Sequence, residues 1–201
     1  MCATSLLETV REKSAVGAKL YIFLAYPFVK WAFPRLLAPN SQNRQVMLIT
    51  FSCLAILLTI AVMLHVTEEF LFPGGFPEWY ARLVPPKTVK KSNTGFLVWI
   101  NTLMMCANAF ALYFGDSLHG YSIWYYNAAI AAANACFHIW GVFKLKAYSP
   151  GVVTGTLLYI PIFVIGSIHL VGSGALPLHR AVIAVVVAVG YHVFSVIRQG
   201  K

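Results

Sequence analysis

Long apolar runs separated by short polar connections dominate the sequence. Five of these runs occupy residues 46–64, 96–115, 121–143, 151–171 and 180–197. Each approaches the roughly 20 residues that a helix needs to cross a hydrocarbon core of about 30 Å. The pattern predicts an all-α protein, a polytopic bundle of transmembrane helices.

An earlier stretch, 18–38, is apolar and aromatic but contains two prolines and the basic residues Lys30 and Arg35. It is compatible with a span, a re-entrant segment or an interfacial helix. If it spans, eleven basic residues flank the helices on one side and three on the other. The positive-inside rule then favours six crossings with both termini in the cytoplasm.

The predicted bundle therefore has five to six spans. We expect residues 1–45 to form an N-terminal tail plus a possible first span or interfacial helix. Residues 46–201 would form a five-span membrane domain that carries the functional site. Between the first and second of the five runs, the loop 70–95 combines Phe-Pro, Gly-Gly and Pro-Pro pairs, which predict irregular structure. The Ala-rich stretch 128–135 predicts close helix packing.

Composition narrows the function classes. Only 10% of residues are charged, against about a quarter in soluble domains. The formal net charge of +9 suggests nucleic-acid binding, but the basic residues lie at the ends of apolar runs, where they set membrane topology. We expect membrane lipids and a lipophilic small molecule as partners, and no nucleic acid.

The sequence contains no motif for nucleotide binding and no cysteine spacing typical of a metal site. The sequence has neither GxxxxGK[ST] nor GxGxxG, so we expect no nucleotide. Four cysteines without CxxC spacing argue against a disulfide framework or a cysteine zinc site. The expected location is a multi-pass position in the endoplasmic reticulum or plasma membrane.

The sequence HVTEE, with His65, Glu68 and Glu69, directly follows the strongest apolar run. If the helix continues, the i,i+3 and i,i+4 spacings put the three side chains on neighbouring positions of one helical side. A histidine and two carboxylates there can hold a proton or a metal ion. The alternative is that the two acids only mark the helix end in water.

Two further motifs follow. NACFH places Asn134 and His138 one turn apart inside a predicted span, where polar side chains are costly and usually face the bundle interior. The alternative is a purely structural hydrogen bond between helices. The third motif, YSPG at Tyr148–Gly151, stands at a predicted turn, and a plain loop is its alternative.

The alternation of spans brings these motifs to one end of the bundle. Asn101 and His192 fall in the same half of their spans, whereas His169 falls toward the other end and is expected to be structural. Four aromatic residues are candidates for lining a pocket or for an interfacial belt: Trp99, Trp124, Tyr125 and Trp140.

The three motifs in this order resemble the HXXEE family of integral membrane proteins over roughly residues 46–195. The resemblance implies an enzyme without fixing its reaction, with functional residues His65, Glu68, Glu69, Asn134 and His138. The pair His65 and Glu69 is also similar to the acid–base pair of the emopamil-binding type of sterol isomerase, an analogy of chemistry and architecture only.

Three functions are compatible with these features. The first is acid–base catalysis by Glu68, Glu69, His65 and His138 on a lipophilic molecule: isomerisation, epoxide opening or hydration, or cyclisation. The residues expected to bind or orient the substrate are Asn134, Asn101, Tyr148, Trp140, Trp99 and His192.

The second function is a metal-dependent hydrolase or oxygenase. No metal or cofactor is assigned from the sequence; zinc or iron would be held by His65, Glu68, Glu69 and His138. The third function is a small transporter or a non-enzymatic membrane protein.

Overall fold

The computed structural model describes residues 50–85 and 94–199, and every regular element within them is a helix. The all-α class predicted from the sequence is confirmed. The elements are α1 Phe51–Phe70, α2 Phe76–Leu83, α3 Thr94–Phe114, α4 Leu118–Leu145, α5 Val152–Leu170 and α6 Leu178–Gln199. The predicted segment 18–38 lies outside the described residues.

Four described helices are long and apolar enough to cross a membrane: α1, α4, α5 and the Leu178–Ile197 part of α6. They correspond to four of the five predicted spans, and the chain is a membrane protein. The apolar part of α3, Val98–Phe114, is shorter, so its crossing stays a prediction. On α6, Val182, Val186 and Val193 are each more than half exposed, as expected of side chains that face lipid.

The 28-residue helix α4 is the centre of this bundle and packs against each of the other described helices. Its Ala128, Ala131 and Ala135 are buried, so the predicted close packing through small residues is confirmed. A methyl group at Gly155 of α5 would lie 3.1 Å from the Ala135 Cβ, which shows how closely these two helices approach.

Helix α1 continues past the predicted span end at residue 64 and includes the whole HVTEE sequence. The buried residues Leu54, Leu58, Val62, His65 and Glu69 recur at spacings of three and four. They therefore form one stripe along the helix, with apolar side chains first and ionisable ones at its C-terminal end. The same face that packs α1 into the bundle carries the polar residues inward.

The loop 70–95 contains a helix that the sequence prediction missed. Helix α2 begins after Gly75, whose φ of 87° suits glycine, and has proline in its first turn. Proline is tolerated there because the first helical N–H groups have no partner within the helix. The Gly-Gly and Pro signals thus start a helix here. Residues 86–93 of the predicted loop lie outside the described part of the chain.

Helix α5 contains one π-helical stretch, Gly155–Tyr159, in which the Ile160 N–H donates to the Gly155 carbonyl five residues earlier. In an α-helix, residues five apart point about 140° away from each other. The wider turn brings Thr154 and Tyr159 to the same side of α5. Such π turns are frequent at functional sites.

Candidate active site

Three ionisable side chains from two helices meet in the interior of the bundle. The Glu69 Oε1 atom lies 3.3 Å from the Nε2 atom of His65, on the same helix, and 3.1 Å from the Nε2 atom of His138, on α4. All three residues are buried, with Glu69 the most exposed at 5%. We call this cluster the His–Glu triangle (His65, Glu69 and His138).

Asn134 lies one turn before His138 and closes the cluster on the α4 side. Its Nδ2 atom is 2.9 Å from the His65 Nε2 atom and 3.3 Å from the His138 Nε2 atom. The two motifs HVTEE and NACFH are therefore in direct contact, as the alternation of spans predicts.

The outer nitrogen of each histidine is bound by a hydroxyl group. His65 Nδ1 lies 2.9 Å from the Thr154 Oγ1 atom, and His138 Nδ1 lies 2.8 Å from the Ser149 Oγ atom. Both hydroxyls come from the turn between α4 and α5 and from the first turn of α5. This turn fixes the orientation of both imidazole rings.

Glu68 lies beside the triangle but has different partners. One of its carboxylate oxygens accepts from the Tyr148 hydroxyl and the Val153 N–H, the other from the Thr154 N–H and the Thr154 hydroxyl. Four donors match the roughly four acceptor positions of a carboxylate. Glu68 therefore anchors the N-terminal turn of α5, where a negative charge is also favoured by the helix dipole.

These bonds determine the proton positions on His65. The Thr154 hydroxyl has one proton, which it donates to Glu68. It must then accept from His65 Nδ1, so that nitrogen carries the proton. The His65 Nε2 atom is left with its lone pair directed toward Glu69 and Asn134.

The position of the two histidine rings requires glycine as the last residue of the YSPG motif. Gly151 has a φ of 98°, a conformation that favours glycine. A methyl group at this position would lie 2.7 Å from the His65 Cε1 atom and 2.9 Å from the His138 Cε1 atom. Only a residue without a side chain lets the turn approach both rings so closely.

Aromatic rings cover the remaining sides of the histidines. Trp79 of α2 stacks on His138 with a centroid distance of 5.4 Å and an interplanar angle of 23°. Phe76 of α2 lies 5.6 Å from the same ring, and Tyr159 lies 4.6 Å from the His65 ring. The Lys144 ammonium holds α2 against α4 by donating to the Leu83 carbonyl.

Other predicted site residues lie further from the triangle. The ring of Phe137 lies close to both His192 and His138, with centroid distances of 6.2 and 5.9 Å. Trp99 and Trp140 are 59% and 43% exposed, which favours the interfacial-belt alternative; a substrate-binding role for them stays a prediction.

Two residues named from the sequence remain to be located, Asn101 and His169. Asn101 is half-buried in α3, and its predicted role is not tested by this arrangement. His169 lies in the last turn of α5, at the opposite end from Thr154, as expected from the alternation of spans, and its structural role stays a prediction.

Sequence reasoning missed several residues that contact the triangle. Ser149 and Gly151 belong to the YSPG motif, which was singled out as a motif without a role for either residue. Thr154 follows one helical turn later and offered no pattern of its own. Trp79 had only the aromatic composition of the loop as a signal.

Comparison with known proteins identifies a family. The family model described as "Protein of unknown function with HXXEE motif" matches residues 56–166, more than half of the chain. The matched segment contains all three motifs and every residue of the triangle. No curated protein and no solved structure is significantly similar to this chain.

Proposed function

This chain belongs to the HXXEE family, and we propose that it is an integral membrane enzyme whose reaction centre is the His–Glu triangle. The observation that carries the proposal is the convergence of two imidazole nitrogens and one carboxylate oxygen on a buried point. Burying such groups among transmembrane helices is costly, and residues retained there commonly serve a function.

The contacts divide the roles of the two acids. Glu68 is occupied by four hydrogen bonds and acts as a positioning residue. Glu69 instead faces the two histidines and is the carboxylate that takes part in the reaction. The chemistry supported by this set is activation of water or transfer of a proton.

The substrate class follows from the surroundings of the triangle. Aromatic rings contact both histidines of the triangle. The helices that carry the triangle, α1 and α4, are long and apolar enough to cross a membrane. A lipophilic small molecule can partition into the bilayer and reach such a site, whereas a charged metabolite cannot do so without cost. Isomerisation, hydration or hydrolysis, and cyclisation are reactions that this centre suits.

The membrane system and orientation are part of the proposal. We place the protein in the endoplasmic reticulum or plasma membrane with both termini in the cytoplasm. The distribution of basic residues along the sequence supports this orientation.

A comparison of two Glu→Gln variants tests the function. Glu69→Gln removes the reactive carboxylate, whereas Glu78→Gln changes an exposed acid on α2. Both are expressed in a host lacking the gene, and lipophilic extracts are compared by mass spectrometry. We expect a compound that depends on the wild-type chain and on Glu78→Gln, and that Glu69→Gln forms about 10²–10⁴-fold more slowly. Equal formation by Glu69→Gln at equal protein level would refute the proposal.

A further inference from the structure

We propose that the His–Glu triangle binds one divalent transition-metal ion, zinc or iron, and that Asn134 contributes a fourth ligand through its side-chain carbonyl oxygen. The inference rests on the proposed function, because it assigns a cofactor to the same reaction centre. It goes beyond that function in naming the chemical class of the cofactor and a fourth ligand.

A positive charge fits between the lone pairs of the triangle, because the Asn134 amide reaches the two imidazole nitrogens but is paired with no Glu69 oxygen. The Thr154–Glu68 hydrogen bond leaves His65 Nε2 without a proton, yet this atom lies 3.3 Å from a Glu69 oxygen. Two electron-rich atoms at that distance repel each other unless a cation or a proton lies between them. The same Glu69 oxygen also faces His138 Nε2 at 3.1 Å. One cation satisfies all three atoms at once.

The spacing of the donor atoms fits a metal ion. Zinc–nitrogen and zinc–oxygen bonds of about 2.0–2.1 Å in a tetrahedron separate neighbouring donor atoms by about 3.3–3.4 Å. The two separations from Glu69 Oε1 are 3.3 and 3.1 Å, which match this spacing, and the three donor atoms all lie within 4.8 Å of one another. The two imidazole nitrogens would move toward each other as the set closes around an ion.

The second layer of contacts has the form expected for metal-binding histidines. Such a histidine donates its other ring N–H to an acceptor that fixes the tautomer and the ring orientation. His65 donates to the Thr154 hydroxyl, which is itself bonded to Glu68, and His138 is paired with the Ser149 hydroxyl. Both Nε2 atoms are thereby directed at the same point.

Asn134 supplies the fourth donor by turning its amide. Amide nitrogen and oxygen positions are assigned from the hydrogen-bond network, and the two orientations have nearly the same shape. The Asn134 Nδ2 atom lies 2.9 and 3.3 Å from the two Nε2 atoms, and the second of these distances matches the spacing between ligands. With a cation present, the carbonyl oxygen occupies this position and faces the ion.

The donor set indicates the type of metal. Two imidazoles, one carboxylate and one amide oxygen suit zinc or iron better than calcium or magnesium, which prefer oxygen ligands alone. A water molecule or a substrate oxygen would join such an ion as a fifth ligand, and the ion would lower the pKa of that water or polarise that oxygen. Both effects serve the water activation or proton transfer proposed above.

Metal analysis of the purified full-length protein tests the inference. The detergent-solubilised wild-type chain is stripped with a chelator and titrated with Zn²⁺, with Fe²⁺ under anaerobic conditions, and with Co²⁺ as a visible probe. We expect one equivalent of tightly bound ion per chain, and none retained by His138→Ala or Glu69→Gln. The exposed His179→Asn and Glu78→Gln serve as matched controls and should bind like the wild type.

Two further variants separate ligands from supporting groups. Thr154→Val, which removes a second-layer hydroxyl, should weaken binding about 10–100-fold. Asn134→Ala should weaken it and also change the Co²⁺ absorption spectrum, because a ligand is exchanged. An unchanged spectrum in Asn134→Ala would remove this residue from the ligand set.

The inference fails if folded wild-type protein binds none of the three ions, or if His138→Ala and Glu69→Gln bind them as the wild type does. These outcomes are distinct from failure of the proposed function. If no ion binds but Glu69→Gln still abolishes product, the enzyme works by direct acid–base chemistry. If an ion binds but product formation is independent of the triangle, the metal site stands without the function.

Discussion

Substitution of Gly151 by alanine tests how closely the YSPG turn controls the site. The φ of 98° is unfavourable for any residue with a side chain and costs about 1–3 kcal/mol. The added methyl group also lies 2.7 and 2.9 Å from the two imidazole Cε1 atoms. Ordinary contact begins at 3.4 Å, so the rings must retreat by about 0.5–0.7 Å or the turn must move, at a further cost of about 1–3 kcal/mol.

A displacement of this size would move the two imidazole rings that belong to the triangle. Misplacing a reacting group by about 1 Å can cost about 10²-fold in rate. We therefore expect Gly151→Ala to form product about 10–100-fold more slowly than the wild type. Metal binding should weaken in parallel, because both Nε2 atoms move away from their common point.

The matched control is Gly174→Ala, in the turn between α5 and α6. Gly174 has a φ of 79°, but a methyl group there would have no neighbour within 4 Å. Both variants should lose thermal stability in detergent through the backbone strain, and only Gly151→Ala should lose product formation and metal binding. If the two variants behave alike in these site assays, the close approach of the turn to the histidines does not control the centre.

Two further predictions rest on the contacts of Glu68 and Thr154, and a third rests on the distribution of basic residues. Glu68→Gln should lower the unfolding midpoint in detergent, because the amide nitrogen of glutamine replaces an oxygen that accepts two hydrogen bonds. The expected loss in the free energy of unfolding is about 1–3 kcal/mol. Glu69→Gln should fold like the wild type. An equal loss of stability in both would contradict the division of roles. Thr154→Val should reduce stability and metal affinity, and Thr154→Ser should restore both; failure of the serine variant to do so would exclude the hydroxyl as the cause. Finally, a cysteine at position 92, outside the described residues, should be labelled only from the cytoplasmic side if the charge distribution sets the orientation.

The sequence predicted the helices and the depth of the site well, because both follow from hydrophobic pattern. Apolar runs identify α1, α4, α5 and α6, and their alternation places His65 and His138 at the same end of the bundle. The i,i+4 spacing of His65 and Glu69 then requires only that α1 continue, which it does.

Hydrophobic patterns do not predict contacts that depend on the rotation of a helix about its axis or on local backbone geometry. The placement of Tyr159 on the same side of α5 as Thr154, with both against His65, requires the π-helical turn, which a periodicity of 3.6 residues cannot predict. The separation of Glu68 from Glu69 arises because adjacent helical residues point about 100° apart, one toward the α5 N-terminus and the other toward His138. Helix α2 was missed because Gly and Pro signal turns and helix starts alike.

The central claim is that Glu69 and His138 act in one reaction centre, and a double-mutant comparison tests it most directly. Residues that act as a unit have strongly non-additive effects, so removing the second adds little once the first is gone. Product formation is measured for Glu69→Gln, His138→Ala and the double variant at equal protein level. We predict that the double variant is no slower than the slower single variant. Losses that multiply would show that the two residues act independently and would contradict a shared centre.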